Sequence, residues 1–398
     1  MVVKAVRKVP WFTYFPDNYR WSFIVSIGLM RVAGGGADTA EIFEVCRNLD
    51  RDVGNDDLWF DEWAGMGDRL RAMGIAALRR GHDLTGAGHF SRSATYHQMA
   101  DRFRFPKDKV SQGVYRKSID SFKRYVRLND RPKTEIVEIP YEGGKSLPGY
   151  FIHAENTRKS KPPVVVLYTG FDGTKESPMV ISALELARRG MSVVVPDTPG
   201  VGEAIRFRKI YLRHDYEVAG SAVLDWLEKR KDVNAKRAGI MASSLGGYYA
   251  PRTASMERRF KACVAHGAIW DYHAIWKRRI DAAFKIQLPS PGNHLAWSFN
   301  VKTAEEALEK LEGFRLDGVV QKMKCPFLLV HGEDDQQIPL ADAKSLYKAA
   351  GSKDKTLRVY KGTDGGSQHC HMDYITPVVL DGRETGRVRP DRSFMWRD

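Results

Sequence analysis

The chain has 398 residues, of which 43% are hydrophobic and 28% charged, and a formal net charge of +14 at pH 7. This composition predicts a globular protein of two or three folding units, and the negative mean hydropathy excludes a polytopic membrane protein. The Lys and Arg residues are spread along the chain among acidic residues, without a basic arm or a recognition motif. We therefore expect a solvated basic surface and no nucleic-acid partner.

The four cysteines are scattered and show no CxxC spacing. In a chain of this length, such usage predicts reduced thiols and a cytoplasmic setting. The His-Cys-His run at 369–371 has no second pair of metal-binding residues at a suitable spacing, so we expect neither a metal nor another cofactor.

The most apolar early run, WSFIVSIGLM, covers residues 21–30 and is too short to span a bilayer. No small-residue cleavage site follows it and no charged segment precedes it, so it predicts a buried helix rather than a signal peptide, and no membrane partner. Helical periodicity continues to about residue 131. Within it, SRSATYHQMADRFRF predicts a helix that is capped at its start by Ser91.

After Asp130 the pattern changes to strands alternating with helices. TEIVEIP and LPGYFIHA predict a hairpin across a Gly-Gly turn, and PPVVVLYTG and MSVVVPDTPG predict strands covered on both faces. Further strands are predicted at AGIMASS, FKACVAHGA, CPFLLVHGEDD and TLRVYKG. This alternation predicts a mostly parallel α/β sheet over residues 132–398, with a helical insertion at about 271–322 that covers the site.

Two adjacent serines follow the strand AGIMASS and precede a predicted helix. A nucleophile at a sharp strand-to-helix turn needs a small residue two positions before it and two after it, because the strand and the helix nearly touch there. Ala242 and Gly246 satisfy this spacing around Ser244, whereas a turn centred on Ser243 would place two bulky residues at the crowded positions. Ser244 is therefore the predicted nucleophile of an α/β-hydrolase fold.

An acid and a histidine follow in the order that this fold requires. The acid is expected in the loop after CPFLLV, where Asp335 is the first choice and Asp334 the second. The base is expected after the strand TLRVY, where His369 is the first choice and His371 the second, while His331 is interpreted as a turn histidine. A serine hydroxyl needs an imidazole to accept its proton and a carboxylate to orient that imidazole, so the pattern predicts a catalytic triad.

The tetrahedral intermediate of such a reaction needs N–H donors for its oxyanion. One donor is predicted at the backbone of Leu245, directly after the nucleophile. The second is predicted in the loop after VVVLYTG, at Gly170 or Phe171.

Five stretches together resemble one branch of the α/β-hydrolases, which includes 2,6-dihydroxypseudooxynicotine hydrolase and the fungal yellowish-green pigment polyketide hydrolases. They are LYTGFDGTKES, PDTPGVGEA, ASSLGGYYA, HGEDDQQIP and GGSQHCHMD. The similarity covers about residues 133–373, and the N-terminal part more loosely. The resemblance implies a helical cap domain over 1–131, a catalytic domain over 132–398, the triad already named, no metal, and a homodimer.

Members of this branch hydrolyse carbon–carbon bonds next to carbonyl groups, or act as esterases. In the nicotine-degrading relative a glutamate that is implicated in carbon–carbon cleavage stands where this chain has Asp172, so the shorter side chain leaves the reaction type open. The tail also departs from the branch, because it contains Pro377 and several glycines where relatives end in an amphipathic helix.

The sequence thus predicts a serine hydrolase that acts on a small carbonyl compound through an acyl-enzyme. The first interpretation is cleavage of a carbon–carbon bond in an aromatic or polyketide-like ketone, and the alternative is a carboxylesterase or lactonase on the same residues. The intact triad argues against a catalytically silent binding protein. WFTYFPDNYRW and AIWDYHAIW are rich in aromatic residues that suit either the walls of a pocket for a planar substrate or core packing.

Overall fold

A computed structural model describes residues 11–280 and 292–373 of the chain. The first part is helical and consists of α1 (Tyr19–Met30), α2 (Thr39–Leu49), α3 (Asp56–Arg79), α4 (Asp83–Asp101) and α5 (Lys109–Leu128). The helices that follow lie between strands and are α6 (Glu176–Pro178), α7 (Leu184–Arg188), α8 (Gly202–Arg208), α9 (Glu217–Glu228), α10 (Gly246–Met256), α11 (Tyr272–Ile280), α12 (Gly292–Phe299), α13 (Ala304–Leu311) and α14 (Leu340–Ala349). A π-helical turn, Met179–Ala183, joins α6 to α7.

Helix α1 begins at Asn18, whose side-chain oxygen accepts a hydrogen bond from the Trp21 N–H at 3.1 Å. Trp21, Ile24 and Val25 are at most 2% exposed, so the predicted buried helix is confirmed. These side chains belong to a helical core that also includes Met372. In the part of the chain that the structure describes, no helix combines the length and the apolar character that a membrane crossing requires.

The predicted start of the fourth helix is wrong. Helix α4 begins at Asp83, and Ser91 lies buried within it. The cause is close packing of α3 against α4, since a Cβ on Gly86 would lie 3.3 Å from the carbonyl oxygen of Gly74. Packing therefore keeps glycines inside this helix pair despite their low helix propensity, and it overrides the local capping signal.

The sheet has eight strands in the order β1-β2-β4-β3-β5-β6-β7-β8. They are β1 (Thr134–Pro140), β2 (Ser146–Ile152), β3 (Pro163–Tyr168), β4 (Ser192–Pro196), β5 (Asn234–Ser243), β6 (Ala262–His266), β7 (Phe327–Gly332) and β8 (Lys355–Tyr360). Strands β1 and β2 form the predicted hairpin, and β2 also pairs antiparallel with β4. The other neighbours are parallel, so the predicted mostly parallel α/β sheet is confirmed.

The apolar runs of the central strands reflect burial on both faces of the sheet. In β3, Val164 and Val166 belong to the core on one face, while Val165 and Leu167 belong to the core on the other. A strand with helices over both faces needs no polar alternation, which explains why these strands read as continuous apolar runs.

Helical segments interrupt the strand alternation between β6 and β7, where α11, α12 and α13 lie. The N-terminal helices end at Leu128 and the sheet begins at Thr134. The division into two domains at residue 131 stays a prediction, and the unusual tail that contains Pro377 lies outside the described residues.

A buried charge cluster ties the loop after β3 to the end of β4. The Lys175 ammonium lies 2.9 Å from the Glu176 carboxylate and 3.0 Å from that of Asp197. A third carboxylate, from Glu203, lies 3.1 Å away. Asp197 also accepts hydrogen bonds from the backbone N–H groups of Lys175 and Glu203, each at 2.7 Å. Lys175 thus contacts all three carboxylates beside the loop that leads to the catalytic edge of the sheet, and Arg208 pairs with Glu203 at 3.1 Å as a second cation.

We expect Lys175→Met to lower the free energy of unfolding by about 3–5 kcal/mol near pH 8, because it leaves buried carboxylates without their cation. Burial already raises the pKa of Asp197 to about 6, and loss of the ammonium raises that pKa further. A carboxyl group whose pKa is higher in the folded state than in the unfolded state lowers the free energy of unfolding as the pH rises through that higher pKa. The loss of unfolding free energy caused by Lys175→Met is therefore expected to be smaller near pH 5.5 than near pH 8.

Urea unfolding at the two pH values measures this difference. Lys159→Met, at an exposed loop position, is the control, and it is expected to change stability by less than about 0.5 kcal/mol. An equal deficit for Lys175→Met at both pH values would contradict the assignment of Lys175 as the cation that compensates Asp197.

Candidate active site

Strand β5 ends at Ser243 and helix α10 begins at Gly246, so Ser244 lies in the sharp turn between them. Its φ of 60° is in the left-handed region, and its N–H donates to the carbonyl oxygen of His266 at 2.9 Å. A Cβ on Gly246 would lie 2.5 Å from the Cβ of Ala242. The small residues on either side of the serine are therefore required by the contact between the strand and the helix.

Ser244, His369 and Asp335 form one hydrogen-bonded chain. His369 Nε2 lies 2.9 Å from Ser244 Oγ, and His369 Nδ1 lies 2.8 Å from Asp335 Oδ2. An ionised carboxylate only accepts hydrogen bonds, so Nδ1 carries the proton and Nε2 is available to accept the serine proton. The side chains of His369 and Asp335 are 2% and 1% exposed, which keeps water away from this bond.

Asp335 is held in position by the backbone that follows it. Its Oδ1 accepts hydrogen bonds from the N–H groups of Gln337 at 2.8 Å and Ile338 at 2.9 Å. These bonds leave Oδ2 to face His369. The histidine thus contacts the first candidate acid, whereas Asp334, the second candidate, has its backbone N–H bonded to the carbonyl oxygen of Ser367 at 2.9 Å.

The other histidines of this region make different contacts. His371, the second candidate base, is fully buried and its Nδ1 donates to the carbonyl oxygen of Gly366. Burial lowers the pKa of His371 to about 4, so it is neutral at physiological pH. His331 is a residue of β7 rather than the expected turn, and its ring bridges two segments by accepting from the Ala268 N–H at 3.2 Å and donating to the Ile338 carbonyl at 3.1 Å.

Two opposing effects set the pKa of His369. Burial disfavours the imidazolium, but the charge and hydrogen bond of Asp335 outweigh burial and raise the pKa of His369 above its usual 6.5. For Asp335, burial disfavours the carboxylate, and the charge of His369 outweighs it and holds the pKa of Asp335 below its usual range. The pair therefore stabilises the imidazolium that forms when a serine proton is transferred.

Gly170 lies directly against the Ser244 side chain. A Cβ on Gly170 would be 2.8 Å from Ser244 Cβ and 3.2 Å from its Oγ, so this position requires glycine. Phe171 and Leu245 line the same cavity as the serine. The residues predicted to donate to an oxyanion are thus grouped around Ser244, and their role in binding it stays a prediction.

Asp172 follows in the same loop and is bound by Arg102. Arg102 Nη2 lies 2.6 Å from Asp172 Oδ2, and Arg102 Nη1 donates to the Asp172 carbonyl oxygen at 3.2 Å. Both side chains are less than one-fifth exposed. Arg102 directly follows α4, so this ion pair joins the helical part of the chain to the loop after β3. No local motif signals a contact between positions so far apart in sequence.

Ser244 and His369 line a cavity of about 180 Å³. Its walls are mostly apolar and include Phe23, Ile27, Met30, Phe171, Tyr272 and Met372. Of the two aromatic segments singled out in the sequence, the second supplies Tyr272. The first segment, residues 11–21, contributes none of the described residues that line the cavity. Several of its aromatic side chains pack in the helical core instead.

One group of described residues has the spacing of a metal site: Glu135, His153 and Asp232. Arg230 Nη2 donates to a carboxylate oxygen of Glu135 at 2.9 Å and to one of Asp232 at 2.6 Å. A guanidinium cation therefore already bridges the two acids, and we interpret the group as an ion-pair network at the sheet edge rather than a metal centre.

Comparison with known proteins agrees with the observed fold. Residues 180–373 match the prolyl oligopeptidase family. The crystal structure of 2,6-dihydroxy-pseudo-oxynicotine hydrolase is similar with a TM-score of 0.74 at 25% identity, over 89% of this chain and 93% of that one. The protein is an α/β-hydrolase.

The hydrolase also has relatives by sequence, which confirm the predicted resemblance. It is 28% identical to 20-hydroxy-prefusarin hydrolase FUS2 of Gibberella moniliformis, over 91% of this chain and 94% of the relative. It is 28% identical to 2,6-dihydropseudooxynicotine hydrolase of Paenarthrobacter nicotinovorans, over 82% and 83%. Hydrolase acrC of Aspergillus aculeatus is 25% identical, over 89% and 92%.

The raised pKa of His369 predicts how the activity of the hydrolase depends on pH. A base must be neutral to accept a proton, so kcat/KM for a p-nitrophenyl ester is expected to rise with pH through a midpoint above 6.5. Asp335→Asn removes the charge that raises this pKa, so its midpoint moves to lower pH while the rate falls on the order of 10⁴-fold. Stopped-flow pH–rate profiles measure both effects.

Asp334→Asn is the matched control for this experiment, because it removes the carboxylate next to Asp335 in sequence and keeps the one that is bonded to His369. Its profile is expected to keep the midpoint of the unmodified protein. A midpoint that moves with Asp334→Asn and not with Asp335→Asn would contradict the pairing of His369 with Asp335.

Proposed function

We propose that the protein is a serine hydrolase that cleaves a carbon–carbon bond next to a carbonyl group in an aromatic or polyketide-like ketone. The observation that carries this proposal is the hydrogen-bonded chain Ser244–His369–Asp335 at an apolar cavity of about 180 Å³. A buried histidine between a hydroxyl and a carboxylate suits activation of the hydroxyl as a nucleophile. Two relatives are named as hydrolases of 20-hydroxy-prefusarin and of 2,6-dihydropseudooxynicotine, and these names support a small organic compound as the substrate.

The reaction begins when Ser244 Oγ attacks the substrate carbonyl carbon and its proton passes to His369 Nε2. The oxyanion that forms accepts hydrogen bonds from the N–H groups of Leu245 and Phe171. The bond to the leaving carbon then breaks, the leaving carbon keeps the electron pair, and His369 returns the proton to it. Water, deprotonated by His369, attacks the acyl-enzyme and releases the carboxylic acid and the free Ser244 hydroxyl.

A carbon leaving group must be stabilised as it takes the electron pair. In a β-dicarbonyl compound or an acyl-phenol, the leaving carbon is acidic because the negative charge spreads onto oxygen, so such compounds suit this route. An alcohol leaving group needs no such help, which is why a carboxylesterase or lactonase on the same residues is the second candidate. Asp172 separates the two, since it lines the same cavity as Ser244 and its carboxylate is held there by Arg102.

Further properties of the protein also stay predictions. They are a homodimer, a cytoplasmic setting, and the lack of a cofactor, a nucleic-acid partner or a membrane partner. Each follows from the composition or from the family resemblance.

The nucleophile is tested by two neighbouring substitutions. Ser244→Ala is expected to reduce turnover on the order of 10⁴-fold or more with little change in melting temperature, because it removes the attacking oxygen and keeps a small side chain at the turn. Ser243→Ala, the matched control, is expected to retain most of the activity. Peptide mass spectrometry after labelling with a fluorophosphonate locates the modified serine, and an adduct on Ser243 would overturn the assignment.

The reaction type is tested by Asp172→Asn. His369 must return its proton to a carbon atom, which requires the leaving fragment to be oriented in the cavity. Loss of the Asp172 carboxylate from the cavity wall is therefore expected to reduce kcat for a β-dicarbonyl substrate far more than for a p-nitrophenyl ester. Steady-state kinetics on both substrates give the ratio. Asp364→Asn, an exposed carboxylate, is the control. Equal losses of kcat on both substrates, together with a lower melting temperature, would show that Asp172 has only a structural role as the partner of Arg102.

A further inference from the structure

Arg31 is a buried cation at the wall of the catalytic cavity. It caps the C-terminus of α1, is 5% exposed, and lines the same cavity as Ser244. A buried guanidinium is costly unless an anion compensates its charge, so the partners of this one decide whether it is a structural residue or a binding residue.

The hydrogen-bond partners of the Arg31 guanidinium are both neutral. Its Nη1 donates to Gln98 Oε1 at 3.1 Å and its Nη2 donates to Ser177 Oγ at 2.7 Å. Its Nε is buried and has no hydrogen-bond partner among the described residues. Within residues 11–280 and 292–373, Arg31 forms no ion pair with a carboxylate. Because a guanidinium has five N–H donors, these two hydrogen bonds leave donors for a further ligand.

The carboxylates nearest to this part of the cavity are already paired with other cations. Asp172 is bound by Arg102 at 2.6 Å. Glu176 lies 2.9 Å from the Lys175 ammonium and accepts a hydrogen bond from Gln98 Nε2 at 3.2 Å. Gln98 thus stands between Arg31 and Glu176, so the Glu176 carboxylate attracts the Arg31 guanidinium without a direct ion pair.

The electrostatics agree with a buried cation that has no direct ion pair among the described residues. Burial and, after it, repulsion from Arg102 lower the pKa of Arg31 to about 10, against the opposing attraction of Glu176. At neutral pH the side chain therefore remains charged. An anionic ligand group in the cavity would relieve both the burial cost and the repulsion.

We infer that the substrate carries a carboxylate, which Arg31 binds while the carbonyl group faces Ser244. The inference rests on the proposed function, since it takes the compound in this cavity to be the one that Ser244 attacks. It adds to that function a substrate class: a ketone or ester with an apolar body and an acidic group at a distance from the scissile bond. Arg31 is then the residue that selects this class.

The kinetic experiment compares the mono(4-nitrophenyl) ester of adipic acid with the methyl ester of the same compound, which differs only in the missing charge. The unmodified protein is expected to favour the carboxylate substrate by about 10- to 100-fold in kcat/KM, as a charge-assisted hydrogen bond allows. Arg31→Gln is expected to remove most of this preference, and Arg31→Lys to keep part of it. The ratio of the two rates is the readout, so a general loss of activity does not imitate the effect.

Two control variants separate this role from overall charge. Arg47→Gln removes an exposed positive charge on α2 and is expected to leave the ratio unchanged. Arg279 also lines the cavity and has no ion pair among the described residues; its guanidinium donates to the Gln337 carbonyl oxygen at 3.0 Å. Arg279→Gln therefore removes a second cation from the same cavity. Equal rates for the two esters in the unmodified protein, an unchanged ratio in Arg31→Gln, or a preference lost in Arg279→Gln alone would overturn the inference.

A binding measurement keeps the test independent of catalysis. Isothermal titration calorimetry on Ser244→Ala compares 5-oxo-5-phenylpentanoate with its methyl ester, and the carboxylate is expected to bind at least about tenfold more tightly. The same comparison in Ser244→Ala with Arg31→Gln is expected to show no preference. If neither ester is hydrolysed but the carboxylate still binds through Arg31, the proposed function fails and the anion site stands. If both esters are hydrolysed at equal rates and neither ligand is preferred, the anion site fails and the hydrolase activity stands.

Discussion

The left-handed backbone of Ser244 is the constraint on which the catalytic edge of the sheet depends. A non-glycine residue at φ 60° costs on the order of 1–3 kcal/mol and persists only where its surroundings hold it there. The surroundings do so by close approach: a Cβ on Gly247 would lie 1.9 Å from the carbonyl oxygen of Gly267, and Gly170 touches the serine from the loop after β3. Three chain segments thus converge on one hydroxyl, which explains why glycines cluster there.

The two parts of the chain contribute different properties to the site. Parallel strands, buried on both faces, carry Ser244 and hold the loops of Asp335 and His369 at one edge. The N-terminal helices add apolar walls and two guanidinium groups, those of Arg31 and Arg102. The hydrogen-bonded chain is therefore positioned by the rigid sheet, and the N-terminal helices contribute part of the shape and charge of the cavity.

Local sequence was sufficient to predict the three residues of the hydrogen-bonded chain, because each of them follows an apolar strand in a fixed chain order. Ser244 was distinguished from Ser243 by the size of its neighbours, and His369 contacts Ser244 as the loop position suggested. The cavity cations were not predictable in this way. Helical periodicity shows which side of α1 or α4 is buried, but it does not show what that side contacts, so the pairing of Arg102 with Asp172 emerges only from tertiary packing. The same limit explains the misplaced start of α4.

The ring of Phe23 lies 5.9 Å from that of His369, centroid to centroid, so helix α1 contacts the base itself as well as the cavity. Together with the ion pair between Arg102 and Asp172, this contact couples the helices to the loops of the catalytic edge. Substitutions on the two sides of this boundary are therefore expected to have non-additive effects, because they share contacts. A helical part taken from another protein would have to match these loops residue by residue.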